Sequence, residues 1–243
     1  MNIILSATAK AMGKKSGKAA ATLIRQTIAT KGDAHIILAT GTSQFETLKN
    51  LIADTAIDWS KVTMFHLDEY VGLSESHPAS FRKYLKGRFI TQVPPLKAYH
   101  LINAEINPAA ECMRLNQLIA AHPIDVALVG IGENGHLAFN DPPADFETEV
   151  PYLVLQLDEA CRKQQWGEGW FDSLAAVPTH AISMSIKQIM TSKHIICSVP
   201  DARKAQAVKD CLNGVVSNLH PASILQNHLN CTIYLDKTSA SLL

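Results

Sequence analysis

Seven short apolar runs punctuate the chain, at residues 36–39, 62–66, 125–129, 153–157, 181–184, 195–199 and 232–235. They are rich in β-branched residues, and most are apolar at consecutive rather than alternate positions, the pattern of strands covered on both faces. Between them, residues 14–30, 44–53, 79–89, 108–121 and 202–212 place apolar side chains at helical spacing. Pro108 suits a first helical position, because the N–H it lacks would be unpaired there anyway. The alternation predicts an α/β fold with a doubly wound, mainly parallel sheet and helices on both faces. In such a sheet ligands bind beyond the carboxyl ends of the strands, where helix N-termini present free N–H groups. Chemistry is therefore expected in the loops that follow strands.

The 243 residues suffice for one α/β domain spanning residues 1–243, and ordinary domain sizes do not call for two. No repeat or linker divides the chain, and Pro94-Pro95 and Pro142-Pro143 read as turns. Apolar residues make up 47% of the chain and 22 basic side chains balance 22 acidic ones. That balance argues against disorder and against an electrostatic surface for nucleic acid, which leaves a small molecule as the expected partner. Five cysteines, Cys112, Cys161, Cys197, Cys211 and Cys231, are scattered without a Cys-x-x-Cys pair and read as reduced thiols. Residues 1–7 lack a basic region before their brief apolar run, and nowhere do about 18 apolar residues run together. A cytoplasmic protein without membrane contact is expected.

The first strand-following loop is Thr40-Gly41-Thr42-Ser43. It reads either as a turn capped by Thr42 or Ser43, or as a cradle in which backbone N–H groups and a helix dipole hold an anion. It is not a Walker loop, since no lysine follows the glycine. The second loop is Leu67-Asp68-Glu69-Tyr70-Val71-Gly72-Leu73, followed by His77-Pro78. Adjacent carboxylates are costly to bury unless paired or used, so the pair is either a solvated turn or the source of a general base. Neighbouring residues point apart, and only one of the two need face a site.

The third loop runs Val129-Gly130-Ile131-Gly132-Glu133-Asn134-Gly135-His136-Leu137-Ala138-Phe139-Asn140-Asp141-Pro142. A histidine close before a carboxylate, behind three glycines that admit close backbone approach, suits a proton shuttle. The same glycines match the dinucleotide fingerprint, with Asp158 near the place of the ribose-binding acid. That fingerprint needs a helix directly after its third glycine, and Pro142-Pro143 interrupts the chain too soon. Nicotinamide binding therefore ranks below proton transfer. Arg162 and the pair Arg203-Lys204 remain as basic positions. A cation in the first turn of a helix opposes its dipole, so Lys204 reads either as an exposed side chain or as the partner of an anion. The other histidines show no i, i+4 pairing with acidic neighbours, and no metal site is expected.

Leu67-Asp68-Glu69-Tyr70-Val71-Gly72-Leu73 with His77-Pro78, and Gly132-x-x-Gly135-His136-x-Ala138-Phe139-Asn140, resemble the glucosamine-6-phosphate deaminase family. The likeness runs in order over nearly the whole chain. It implies a Rossmann-like fold and a cofactor-free enzyme, an aldose–ketose isomerase and deaminase acting on a C–N bond. Such an enzyme converts glucosamine 6-phosphate and water to fructose 6-phosphate and ammonia in amino sugar catabolism. By position, Asp68 resembles the base that moves a proton between C2 and C1, and His136 the group that opens the pyranose ring. Asp141 and Asn134 stand where the family has the acidic partners of that histidine. Gly41, Thr42 and Ser43 resemble the phosphate loop, and Lys204 the phosphate-binding lysine. Single chains and rings both occur in this family, so a homo-oligomer stays open.

Four departures qualify the likeness. Asn134 replaces an aspartate and cannot lend a full charge to the imidazole. Asp141 replaces a longer glutamate. The family's phosphate arginine before a pair of aromatics is Gly169 here, leaving Arg162 or Arg203 as substitutes. The basic residues that bind an allosteric N-acetylated sugar phosphate in some members find no match at residues 144–149, and that regulation is not expected. Two further readings stand beside the deaminase, a 6-phosphogluconolactonase-like hydrolase and a sugar-phosphate sensor without turnover. Lactonases typically continue from the histidine into Ser-Leu-Phe-Pro, where this chain has Leu137-Ala138-Phe139-Asn140.

Overall fold

The computed structural model describes residues 1–243. The elements follow in the order β1 (Asn2–Ser6), α1 (Ala9–Lys31), β2 (Ala34–Leu38), α2 (Phe45–Ile52), β3 (Val62–His66), β4 (Asp68–Tyr70) and α3 (Phe81–Arg88). After these come β5 (Ala98–His100), α4 (Pro108–Ala120), β6 (Val126–Val129), β7 (Tyr152–Gln156), α5 (Glu159–Gly167) and β8 (His180–Met184). The chain closes with α6 (Ile186–Met190), β9 (His194–Val199), α7 (Ala205–Asn213) and β10 (Cys231–Asp236).

Seven strands form one sheet in the order β1-β10-β9-β6-β2-β3-β5, and every neighbouring pair is parallel. Successive strand residues point to opposite faces, and here both faces are covered. Ile36, Leu38, Met64 and Leu128 pack with Met12, Ala20 and Ile24 of α1 on one side. Ile37, Phe65, Val129 and Cys197 pack with Leu115 of α4 and Val208 of α7 on the other. This is the two-sided burial that consecutive apolar positions require, and the fold is doubly wound and Rossmann-like as expected.

Two of the expected strands lie elsewhere. β7 and β8 join β4 in a small antiparallel sheet of order β4-β8-β7. Past the buried Tyr152, β7 alternates half-buried Leu153 and Leu155 with exposed Val154 and Gln156, which marks it as covered on one face. The chain steps from β3 to β4 at Leu67, whose carbonyl accepts from Met184 N at 2.9 Å. Five elements escape the hydrophobic pattern, among them the short β5 and α6. β1 is a largely exposed edge strand, β4 has only three residues, and α5 buries only Cys161 and Gln165. Helix starts follow capping chemistry: Thr8, Ser80, Asn107 and Asp158 each accept a backbone N–H of the first turn through the side chain, which satisfies donors the helix cannot.

The chain path sets the site. From β2 it moves outward to β3 and β5, then returns to β6 on the other side of β2 and continues to β9 and β10. That reversal opens a crevice beyond the carboxyl ends of β2 and β6, the usual ligand position in open α/β sheets. The loops after these strands are tied together there: Ala39 N donates to Leu128 O at 2.9 Å and Gln44 Nε2 to Val129 O at 3.2 Å.

Candidate active site

A cleft of about 710 Å³ occupies the crevice, a volume in the range of small-molecule sites. Its wall includes Gly41, Thr42, Ser43, Asp68, His136, Arg203 and Lys204, so the three strand-following loops and the basic pair share one cavity.

The loop after β2 turns at Gly41, with φ +88°, a left-handed conformation that costs a side-chain-bearing residue strain. The Gly41 carbonyl accepts from Tyr84 Oη at 3.0 Å, and a short 3₁₀ turn, Thr42–Gln44, leads into α2. Lys204 closes another such turn, Ala202–Lys204, at the start of α7. It is only 6% exposed, and no carboxylate stands within ion-pair distance of its ammonium. Burial pulls its pKa below the ordinary lysine value, against a weaker upward pull from Glu168 and Glu133. A desolvated, unpaired cation on a cleft wall is a strong anion site. Arg203 beside it is paired with Asp201 at 3.1 Å and approaches Glu133 at 3.5 Å.

The adjacent carboxylates Asp68 and Glu69 point to different places. Glu69 is fully buried and accepts from Tyr70 N at 3.0 Å, Ser80 Oγ at 3.0 Å, Phe81 N at 3.2 Å and Arg82 N at 2.8 Å. It thus caps α3 from a distance and locks the loop of residues 70–80. Asp68 is 6% exposed and faces the cleft without a donor of its own. Burial, and then the neighbouring Glu69 charge, push its carboxyl up to about 8.

His136 lies on the next loop, above Gly132. A Cβ at Gly132 would fall 2.3 Å from the ring atoms Cε1 and Nε2, so only glycine admits the imidazole there. Glycine freedom is used for close approach and not for a nucleotide: no helix follows Gly135 until α5. The loop is instead pinned to β8, with Phe139 N donating to Ser183 Oγ at 3.0 Å and Asn140 Nδ2 to Met184 O at 2.8 Å.

Behind the imidazole, Asp141 Oδ1 lies 3.2 Å from His136 Nδ1. Burial works to raise the Asp141 pKa, but contact with His136, the Asn134 amide and the Asp158 N–H hold it below the usual carboxylate value. Asn134 Nδ2 donates to Asp141 Oδ1 at 3.0 Å and to Asp158 Oδ2 at 3.1 Å, and its Oδ1 accepts from His136 N at 3.1 Å. An amide supplies donors to both acids, whereas an aspartate at 134 would add a third negative charge. Asn134 and Asp141 therefore stand outside the cleft wall, behind His136.

Arg162 departs from expectation. Its guanidinium donates to Leu174 O at 2.9 Å and Val177 O at 3.1 Å, and it is not on the cleft wall. Its side chain reaches the turn at residues 174–177, so of the two substitutes only Arg203 meets the cavity. Gln164, Gln165 and Glu168, at the end of α5, line the cleft as well and were not read from the sequence. The Asp158 cap followed by Glu159 in the first turn was the available signal, but α5 carries too few apolar residues to stand out. The five cysteines are free and buried, and no helix is long and apolar enough to cross a membrane.

The fold and the cleft define a Rossmann-like α/β protein whose site joins a glycine turn and a buried lysine to titratable side chains from separate loops. The chain matches, over residues 7–234, the family described as glucosamine-6-phosphate isomerases/6-phosphogluconolactonase, and it belongs to that family. It is 38% identical over 244 residues to a glucosamine-6-phosphate deaminase of Exiguobacterium, covering 99% of this chain and 91% of that one. A Listeria monocytogenes protein of the same description is 39% identical over 216 residues, covering 88% and 90%. Among solved structures, a monomeric glucosamine-6-phosphate deaminase superposes with a TM-score of 0.91 at 32% identity, over 100% of both chains. A Trypanosoma brucei 6-phosphogluconolactonase superposes with a TM-score of 0.79 at 18% identity, covering 100% of this chain and 98% of that one, a likeness of fold.

Proposed function

We propose that this enzyme isomerises and deaminates a hexosamine 6-phosphate, glucosamine 6-phosphate or a close relative, using water and releasing a ketose 6-phosphate and ammonia. The observation that carries this reading is that Asp68 and His136, from loops after different strands, face one cleft together with the anion loop and Lys204.

The phosphate accepts from backbone N–H groups and hydroxyls of Thr42 and Ser43, and its charge offsets the desolvation of Lys204. Arg203 gives a second cation at the same wall. Because His136 Nδ1 faces Asp141, its Nε2 edge is left for the sugar. There it takes the proton of the C1 hydroxyl and returns one to the ring oxygen, which opens the ring to the aldehyde. Asp68 then removes the C2 proton and delivers one to C1 while a proton passes from the C2 nitrogen to O1, leaving an imine at C2. Water adds to that imine and ammonia departs. Asp68 must be ionised to act, and the ammonium that the substrate carries on C2 favours its carboxylate form.

Every step is a proton transfer or an addition of water, so the reaction calls for no redox cofactor. Every group named belongs to one chain, and the proposal needs no second copy. Buried free thiols suit a reducing compartment, and we place the enzyme in the cytoplasm.

The test is an assay of ammonia and ketose phosphate over a small panel, including glucosamine 6-phosphate and galactosamine 6-phosphate. Equal amounts of both products from at least one member are expected. Calorimetric binding without turnover on any member would overturn the proposal in favour of a sugar-phosphate sensor.

A further inference from the structure

We propose that His136, Asp141 and Cys161 form an inhibitory site for a thiophilic divalent cation, Zn²⁺ or Cd²⁺. One ligand atom from each residue, an imidazole nitrogen, a carboxylate oxygen and a thiol sulfur, lie within 4.8 Å of one another. They come from two elements far apart in sequence, the loop after β6 and the first turn of α5.

Three independent features point to a cation. First, His136 Nδ1 is buried without a hydrogen-bond partner, although it stands 3.2 Å from Asp141 Oδ1. A buried nitrogen lone pair beside a carboxylate is left unsatisfied unless a proton or a metal lies between them. Second, Cys161 is fully buried and plays no part in the chemistry above, yet its sulfur is directed to this pair. Third, the carboxylate is held from behind, by Asn134 Nδ2 at 3.0 Å and Asp158 N at 2.9 Å, as outer partners hold metal ligands.

The spacing suits the ion. Zinc bonds of about 2.0–2.3 Å in a tetrahedron separate ligand atoms by about 3.5 Å. The Nδ1 to Oδ1 distance already falls near this value, and the sulfur has to close by little more than about 1 Å. The thiol releases its proton as the metal binds, and water takes the fourth position. A side cavity of about 400 Å³ is lined by Asp141, Asp145 and Asp158. Three carboxylates at its wall attract a cation toward Asp141.

A cation on Nδ1 displaces the ring proton from that nitrogen to Nε2, so the imidazole can no longer accept one from the sugar. Turnover stops, a consequence that rests on the proposed function; the binding itself does not.

The experiment has two arms, both on the full chain. CdCl₂ is titrated into wild type and Cys161→Ser, with Cys161→Ala as a second variant should serine disturb the apolar surroundings. Circular dichroism checks the fold. One cadmium per chain is expected in the wild type, with a cadmium–thiolate charge-transfer absorption that both variants lack. Retention of that absorption in the variants, or its absence from the wild type, would overturn the site. In the second arm, ammonia release is measured against ZnCl₂, and the half-inhibiting concentration should rise at least about tenfold in the Cys161 variants. Equal inhibition of variant and wild type would overturn the inhibitory role. An enzyme inactive on every hexosamine phosphate would sink the proposed function, while the cadmium arm would still decide the site.

Discussion

Replacing Asp68 with Asn removes a carboxyl group that the fold buries without a donor, beside a second carboxylate. Its pKa stands at about 8 against an ordinary 3.8, and at about 1.4 kcal/mol per unit the ionised form costs the folded state of the order of 5 kcal/mol. The sign follows from linkage. Below the unfolded value both states are protonated and the group contributes nothing. Between about 4 and about 8 the unfolded chain releases the proton that the folded chain keeps, so wild-type stability falls relative to the variant as pH rises. Above the folded value both states are ionised and the gap is constant. Urea unfolding at pH 4, 6 and 9 measures the gap. Asp68→Asn should match wild type at the lowest pH and exceed it by several kcal/mol at the highest. The same change should reduce turnover by roughly 10²–10⁴-fold, the usual contribution of a general base, with little change in KM. A stability gap independent of pH, or one favouring wild type at pH 9, would refute the burial argument.

The neighbouring carboxylate should behave in the opposite way. Glu69→Gln disrupts charge-assisted bonds to Ser80 and to the N–H groups that open α3, and should cost about 2–4 kcal/mol in urea unfolding at neutral pH. Unchanged stability would mean that the cap contributes little. Lys204→Met leaves the cleft without its buried cation and should raise KM roughly 10–100-fold, with a smaller effect on kcat; an unaltered KM would remove Lys204 from the phosphate site. Gly132→Ala puts a methyl group 2.3 Å from the His136 ring and should lower turnover by about 100-fold through displacement of the imidazole, while far-ultraviolet circular dichroism stays native. Full activity in that variant would show that the ring has room to move.

Much of this site was legible in the sequence because two-sided parallel strands and their loops leave a strong mark. Consecutive apolar positions identified β2, β3, β6, β9 and β10, and the loops after β2, β3 and β6 were then the places to look. They do meet in one cleft, with Asp68, His136 and Lys204 on its wall. Tertiary pairing was not legible: nothing local distinguished β7 and β8 from strands of the large sheet. α5 was missed because it covers the site with polar residues and buries few apolar ones. Arg162 was misjudged for the same reason, since only the course of α5 reveals that its guanidinium is spent on the carbonyls of residues 174 and 177. The division between Asp68 and Glu69 was foreseen as a matter of geometry, and the family resemblance pointed to Asp68, but the physical reason, Glu69 spent on the cap of α3, was not legible. The Asn134 bridge was outside reach, because it requires Asp158, contributed from beyond β7.

The central claim is that Asp68 and His136 work on one phosphate-anchored sugar. The most direct measurement runs the reaction in deuterated water and follows the ketose 6-phosphate by mass spectrometry and NMR. Wild type should release ammonia and ketose together, with solvent deuterium at C1, and Asp68→Asn should bind the sugar phosphate yet yield neither product nor label. Deuterium entering C1 at the wild-type rate in Asp68→Asn would contradict the account, because the base would then have to be another group.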